Sequence, residues 1–87
     1  MSRDTAETAA LAVAHVATTA AVGEFASALA HAATALGLLH HTDAREPLQR
    51  LRDALVHHLD VGGHVQLVEN AYIDARAAAL HVIDPHM

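Results

Sequence analysis

The chain has 87 residues, 53% of them hydrophobic, and its formal net charge is −5. This length allows one domain over residues 1–87, and because Cys is absent, disulfides and thiolate metal sites are excluded. The five basic residues, all Arg, form no continuous stripe, which argues against DNA or RNA as a partner.

The first half of the chain is predicted to form one long helix, from about residue 5 to about residue 40. Asp4 and Glu7 resemble a capping box at its start. At about 1.5 Å per residue, such a helix would be more than about 50 Å long. Gly23 lies inside it, where a glycine costs about 1 kcal/mol relative to alanine, and the surrounding alanines are expected to tolerate that cost. Alternating spacings of four and three define an apolar seam of the coiled-coil kind: Leu11, His15, Thr18, Val22, Phe25, Leu29, Ala32, Leu36 and Leu39.

A turn is predicted over about residues 41–46, between the two halves of the chain. Asp43 and Glu46 are both candidate N-caps for the next helix, and the sequence does not distinguish between them. Pro47 favours the first turn of a helix and disfavours an α conformation at the residue before it. Helix two is therefore expected over about residues 47–83, where an Asp-Pro pair ends it.

Helix two contains two consecutive glycines, Gly62 and Gly63, near its middle. The apolar residues on both sides are spaced as in a helix, but the two runs do not share one register. This slip predicts a kink at the glycine pair, and the alternative is a real turn there, which would give three helices. The two runs are Leu48, Leu51, Leu55 and Leu59, then Val65, Val68, Tyr72, Ala75, Ala79 and Val82.

Together these elements predict an all-α fold, an antiparallel helical hairpin of two long helices. Two helices alone bury one stripe each and leave an alanine-rich second face uncovered, so we expect two hairpins to pair into a four-helix bundle. The expected partner is the chain itself or a similar helical hairpin, as a homo- or hetero-oligomer. The expected interface residues are Leu11, His15, Val22, Phe25, Leu29, Leu36, Leu51, Leu55, Leu59, Val68 and Tyr72.

The nine histidines are the one unusual feature of the composition. Imidazole binds zinc, copper and nickel well, but no two histidines have the spacing of three or four residues that is usual for metal ligands on one helix. A hairpin folded about residue 44 would place His31 beside His57 or His58. His15 lies in the apolar seam, where a hydrogen-bonded interior histidine is commoner than a ligand. We therefore expect no metal site and no cofactor, with a histidine-rich metal- or pH-responsive bundle as the alternative function.

The sequence contains no recognisable catalytic constellation, and we expect that the protein is not an enzyme. Ser2 and Ser27 have no neighbouring base to activate them, and no glycine-rich phosphate loop occurs. The start of the chain lacks the continuous apolar segment of a signal peptide. Residues 25–42, the longest stretch without Asp, Glu, Lys or Arg, contain three histidines and make a poor membrane span. We therefore expect a cytoplasmic protein.

The last third of the chain resembles a known family. Residues 69–80, ENAYIDARAAAL, are similar to the C-terminal segments of WXG100-like proteins, the helical hairpins of type VII (ESX) secretion in actinobacteria. The resemblance implies a non-enzymatic, dimeric partner, adaptor or substrate of such a system, and a type VII-like export route. Two motifs differ. Residues 40–43, HHTD, stand in place of the Trp-x-Gly of the turn, and Arg76 follows Tyr72 where the family's secretion signal has an acidic residue.

Overall fold

The computed structural model describes residues 1–87 and contains no strand, so the predicted all-α class is confirmed. The helices are α1 (Arg3–Ala21), α2 (Phe25–Leu39), α3 (Arg45–Val61) and α4 (Val65–Ile83), followed by a 3-10 turn, Asp84–His86. Each of the two long helices that the sequence predicts is therefore divided in two. The expectation of two continuous helices is wrong, and the reason lies in the glycines.

The first break lies at Gly23, which has a φ of 80°. This left-handed conformation is available to glycine without the steric penalty that a β-carbon brings. The N–H of Gly23 donates to the carbonyl of Ala20 at 3.1 Å, and the N–H of Glu24 donates to the carbonyl of Thr19 at 2.9 Å. These two bonds define a Schellman motif, which ends α1 and reverses the chain into α2.

The second break lies at the glycine pair, where the chain makes a real turn, as the alternative to a kink predicted. Gly62 and Gly63 both have a φ of 73°, and the ψ of Gly62 is 175°. The N–H of Gly62 ends α3 by donating to the carbonyl of His58 at 2.8 Å. The backbone N–H of His64 donates to Nδ1 of the His58 ring at 3.1 Å, so a side chain of α3 satisfies a donor at the start of α4.

The central turn is shorter than predicted, because α3 begins at Arg45. Neither candidate cap is used, since the N-cap position is occupied by Ala44, which has no side-chain hydrogen bond to offer. Thr42 orders the turn. Its Oγ1 donates to the carbonyl of Leu39 at 2.7 Å and accepts from the N–H of Ala44 at 3.2 Å.

The core takes one stripe from each helix and is dominated by small side chains. Ten of the 19 buried residues are alanines, so the helices can pack closely while the few large side chains fill the centre. The large, fully buried side chains are Leu39, Leu48, Leu51, Leu55, Ile83 and Val16. No polar or charged side chain is buried, so the interior is held by apolar packing alone.

The four helices pack in chain order around this core, and consecutive helices run antiparallel. α1 contacts α2 and α4, and α3 likewise contacts α2 and α4, so α4 closes the ring against α1. The radius of gyration is 12.0 Å, and a compact domain of this length is expected to have about 12 Å. The longest dimension, 37 Å, cannot hold a helix of more than about 50 Å. One chain therefore forms a four-helix bundle without a second copy. None of its helices has both the length and the apolar character that crossing a membrane requires.

Candidate functional site

An apolar groove opens between α1 and α4, at the end of the bundle where both glycine turns lie. It encloses about 290 Å³, and nine of its ten lining residues are apolar. α1 supplies three alanines there, and their small side chains leave the groove unfilled. The lining residues are Val16, Ala17, Ala20 and Ala21 of α1, Phe25 of α2, and Val65, Val68, Glu69, Tyr72 and Ile73 of α4.

The wall of the groove at Phe25 is supported from α3. The ring of His58 packs edge-on against the ring of Phe25, with 4.3 Å between centroids. The same His58 ring accepts the backbone N–H of His64 at the start of α4. One side chain of α3 thus contacts the first residue of α2 and fixes the beginning of α4, so it holds two sides of the groove in place.

One side of α4 beside the groove has no partner within the chain. The spacing places Val65, Glu69, Ile73, Arg76 and Leu80 along a single stripe, which we call the α4 outer face. Ile73 is 64% exposed and Val65 is 45% exposed, so the stripe presents two large apolar side chains to solvent. Leu80 is half-buried, and the two charged members of the stripe are exposed.

The two charges of the α4 outer face, Glu69 and Arg76, have no ion-pair partner in the chain. The two ion pairs that do form, Arg3–Glu7 and Arg52–Asp53, lie elsewhere on the surface, each at 3.2 Å. Glu69 and Arg76 are seven residues apart, about 10 Å along the helix axis, which is too far for a direct pair. The stripe therefore presents opposite charges at a fixed separation on either side of an exposed isoleucine.

The eleven interface residues predicted from the sequence do not lie on one surface. The residues buried inside the chain are Leu36, Leu51, Leu55 and Val68. The half-buried ones are Phe25, Leu29 and Tyr72, and the exposed ones are Leu11, His15, Val22 and Leu59. Leu36, Leu51 and Leu55 pack inside a single chain, so in this structure they contribute to its core rather than to an interface, whereas Val68 is buried but also lines the groove. Only three of the eleven, Phe25, Val68 and Tyr72, line the groove.

The register predicted for the first helix is wrong within α1. The seam placed Leu11, His15 and Val22 inside, but Leu11 is 59% exposed, Val22 is 70% exposed and His15 is exposed. The residues that α1 buries are Ala6, Ala9, Ala12, Val13 and Val16. Alanine lies on every side of this helix, so the large residues did not mark its inner face. The interior position that the apolar seam predicted for His15 is therefore wrong.

The histidines meet in pairs that the two-helix hairpin did not predict. The ring centroids of His15 and His31 lie 4.9 Å apart, those of His40 and His41 4.6 Å, and those of His57 and His64 4.3 Å. His31 packs on His15 because α1 and α2 fold about Gly23, whereas a hairpin folded about residue 44 pairs it with α3. No group of three or more His, Asp or Glu residues is arranged to hold a metal ion.

Comparison of the chain with protein-family models, with curated proteins and with solved structures finds no match. Function has therefore to be inferred from the residues of this chain. Among its surfaces, the groove and the adjoining α4 outer face combine the most exposed apolar side chain of α4 with unpaired charges, and they are the best candidate for a binding site.

Proposed function

We propose that the protein is a non-enzymatic helical interaction protein and that a second copy of the chain binds to the groove and the α4 outer face. The observation that carries this proposal is the self-complementarity of the outer face. Homodimers with two-fold symmetry use the same patch on both subunits, so every contact from residue i to residue j is repeated from j to i. In such a patch, each apolar group must face an apolar group and each charge must face an opposite charge when the patch meets a copy of itself in the opposite direction.

The α4 outer face meets that requirement when two copies of α4 lie antiparallel with the two-fold axis between Tyr72 and Ile73. In this register Glu69 faces Arg76 of the second copy, and Arg76 faces the second copy's Glu69. Val65 faces Leu80 in the same way, so each apolar end meets an apolar end. The charge complementarity argues for a second copy rather than for an unrelated apolar helix, which would leave both charges without partners.

The groove explains how an exposed isoleucine is accommodated. Ile73 stands at the rim of a groove whose α1 side consists mainly of alanine. In the symmetric dimer, Ile73 of each copy enters the groove of the other. Burying an isoleucine or valine side chain contributes about 1.5–3 kcal/mol, whereas an exposed ion pair contributes about 0–1 kcal/mol. The apolar contacts therefore provide the affinity, and Glu69 and Arg76 select the antiparallel register.

Charge reversal tests the register directly. Glu69→Arg and Arg76→Glu each place two like charges opposite each other, so we expect each to weaken the dimer at least tenfold in sedimentation equilibrium. The double variant restores opposite charges and should return the dissociation constant to within about threefold of the wild type. The matched control is Asp74→Arg, the same charge change on the α3 side of α4, where it should leave the dimer unchanged.

Two results would refute the proposal. One is a wild-type chain that sediments at its monomer mass of 9.1 kDa even at 100 µM, a concentration at which a functional homodimer should be populated. The other is a dimer that Asp74→Arg weakens as much as Glu69→Arg does, because a general effect of charge would then explain the loss. Circular dichroism of each variant shows whether its helices are retained.

Within this role, we propose that the dimer serves a type VII-like secretion system as partner, adaptor or substrate. The support is the resemblance of residues 69–80 to WXG100-like segments, and most of the α4 outer face lies in that segment. In an actinobacterial host, the chain should appear in the culture filtrate when the secretion ATPase is intact and be lost from it when that ATPase is deleted. Equal amounts in both filtrates would contradict this role. So would a chain that stays in the cells of both strains, if its deletion also leaves the secretion of other substrates unchanged.

A further inference from the structure

We propose that His15 and His31 form a binding site for a divalent transition-metal ion, on the side of the bundle formed by α1 and α2. The two imidazoles come from different helices and lie 4.9 Å apart between ring centroids, with an angle of 55° between ring planes. Imidazole is a preferred ligand of copper, nickel and zinc, and copper binds such sites most strongly. The site is independent of the α4 outer face.

The spacing of the two rings matches the geometry of metal coordination. A metal ion about 2.0–2.1 Å from one nitrogen of each ring lies about 3.2 Å from each ring centroid. The two centroids are then about 4.5 Å apart when the nitrogen–metal–nitrogen angle is 90° and about 5.2 Å apart when it is tetrahedral. The observed 4.9 Å falls between these values, so the separation of the two rings matches that of two imidazoles that share one metal ion.

This pair differs from the two other histidine pairs in the freedom of its ring nitrogens. In the second pair, Nδ1 of His40 bonds to the carbonyl of Gly37, and in the third, Nδ1 of His64 bonds to the carbonyl of Gly62. Neither His15 nor His31 makes a hydrogen bond with the protein through its ring. Every nitrogen of this pair is therefore available to a metal ion.

The stretches of α1 and α2 around the pair contain no charged side chain and no hydroxyl group that competes for the two rings. Residues 8–23 and 25–42 contain no Asp, Glu, Lys or Arg, so no basic side chain repels a metal ion from these stretches of α1 and α2. The hydroxyl groups of Thr18 and Thr34, one turn away, donate to carbonyls of their own helices. The two histidines supply two ligands, and water completes the coordination, as exposed positions on a metal commonly require.

The test uses the full chain without an affinity tag and Cu²⁺ as the probe. Isothermal titration should show one strong site per chain, and electron paramagnetic resonance should show nitrogen coordination. His15→Gln and His31→Gln should each weaken that site at least tenfold, whereas the matched control His57→Gln/His64→Gln, which removes another close pair, should leave it unchanged. Because a metal held by α1 and α2 binds only the folded chain, Cu²⁺ should raise the melting temperature of the wild type and not that of His15→Gln.

Retention of the strong site in His15→Gln/His31→Gln would overturn the proposal, as would a strong site that the control removes. His15 is exposed, so its replacement is expected to leave the fold intact, and circular dichroism verifies this. Sedimentation with and without Cu²⁺ separates a site within one chain from a metal bridge between chains. If the sedimenting mass increases whenever Cu²⁺ binds, the metal ion bridges two chains, and the proposed site within one chain is refuted.

Discussion

Replacing Gly23 by alanine distinguishes the four-helix bundle from a chain with a continuous first helix. Gly23 has a φ of 80°, and a β-carbon added there would meet nothing within 4 Å. The cost of the substitution is therefore confined to the backbone and amounts to about 1–2 kcal/mol for an L-residue held in a left-handed conformation. In a continuous helix the same change would stabilise the protein by about 0.5–1 kcal/mol.

Gly37 provides the matched control for this experiment. It lies within α2, its φ is not positive, and an added β-carbon would likewise meet nothing within 4 Å. Gly37→Ala should therefore stabilise the protein by about 0.5–1 kcal/mol. For a domain of this size, 1 kcal/mol shifts the melting temperature by about 4–8 °C, so Gly23→Ala should lower it by about 4–16 °C and Gly37→Ala should raise it by about 2–8 °C.

The assay is thermal unfolding followed by circular dichroism at 222 nm, with all variants at one protein concentration because a dimer melts in a concentration-dependent way. Opposite signs for the two glycine variants support the turn. A melting temperature of Gly23→Ala equal to or above that of the wild type would show that residue 23 is helical. The division of helix one into α1 and α2 would then be wrong.

Two further substitutions test the core and the turn. Leu55→Ala should lower the free energy of unfolding by about 2–5 kcal/mol, because Leu55 is fully buried. Leu11→Ala should change it by less than about 0.5 kcal/mol, because Leu11 is exposed. Similar losses for the two variants in urea unfolding would support the apolar seam predicted from the sequence. His58→Ala should cost about 1–2 kcal/mol, because it removes the acceptor for the N–H of His64 and the packing against Phe25. His81→Ala on the exposed side of α4 should cost much less in the same assay, and equal losses for the two histidines would contradict the role assigned to His58.

The inner faces of α2 and α3 could be predicted from the sequence, whereas that of α1 could not. Leu36, Leu39, Leu51 and Leu55 are large and periodic, so their spacing identifies buried stripes that the structure confirms. In α1 the buried positions are mostly alanines, and alanine also occupies the exposed positions. Hydrophobic periodicity requires a contrast between the two faces, and this helix has little of it.

The positions of the turns depend on the backbone conformation of the glycines, which the spacing of apolar residues does not reveal. Two consecutive glycines, Gly62 and Gly63, already indicated a possible break, but the single Gly23 resembled a tolerated helix residue. The pairing of His15 with His31 followed from that one position, because only a reversal at Gly23 brings them together. Phe25, Val68 and Tyr72 of the groove were among the predicted interface residues, whereas Glu69, Ile73 and Arg76 were not, because they lie outside the apolar run of the second helix.

The most direct test of the second copy on the α4 outer face is disulfide formation at Ile73. The chain contains no Cys, so Ile73→Cys introduces the only thiol. The proposed two-fold axis passes between Tyr72 and Ile73, so the two introduced cysteines lie next to the axis, offset by one residue or about 1.5 Å along the helices. A disulfide requires the two Cα atoms to lie within about 7 Å of each other. Under mild oxidation we expect Ile73→Cys to become a covalent dimer and Ala33→Cys, exposed on α2, to form no covalent dimer. Equal cross-linking of both variants, or none at residue 73 in a chain that sediments as a dimer, would contradict the proposed interface.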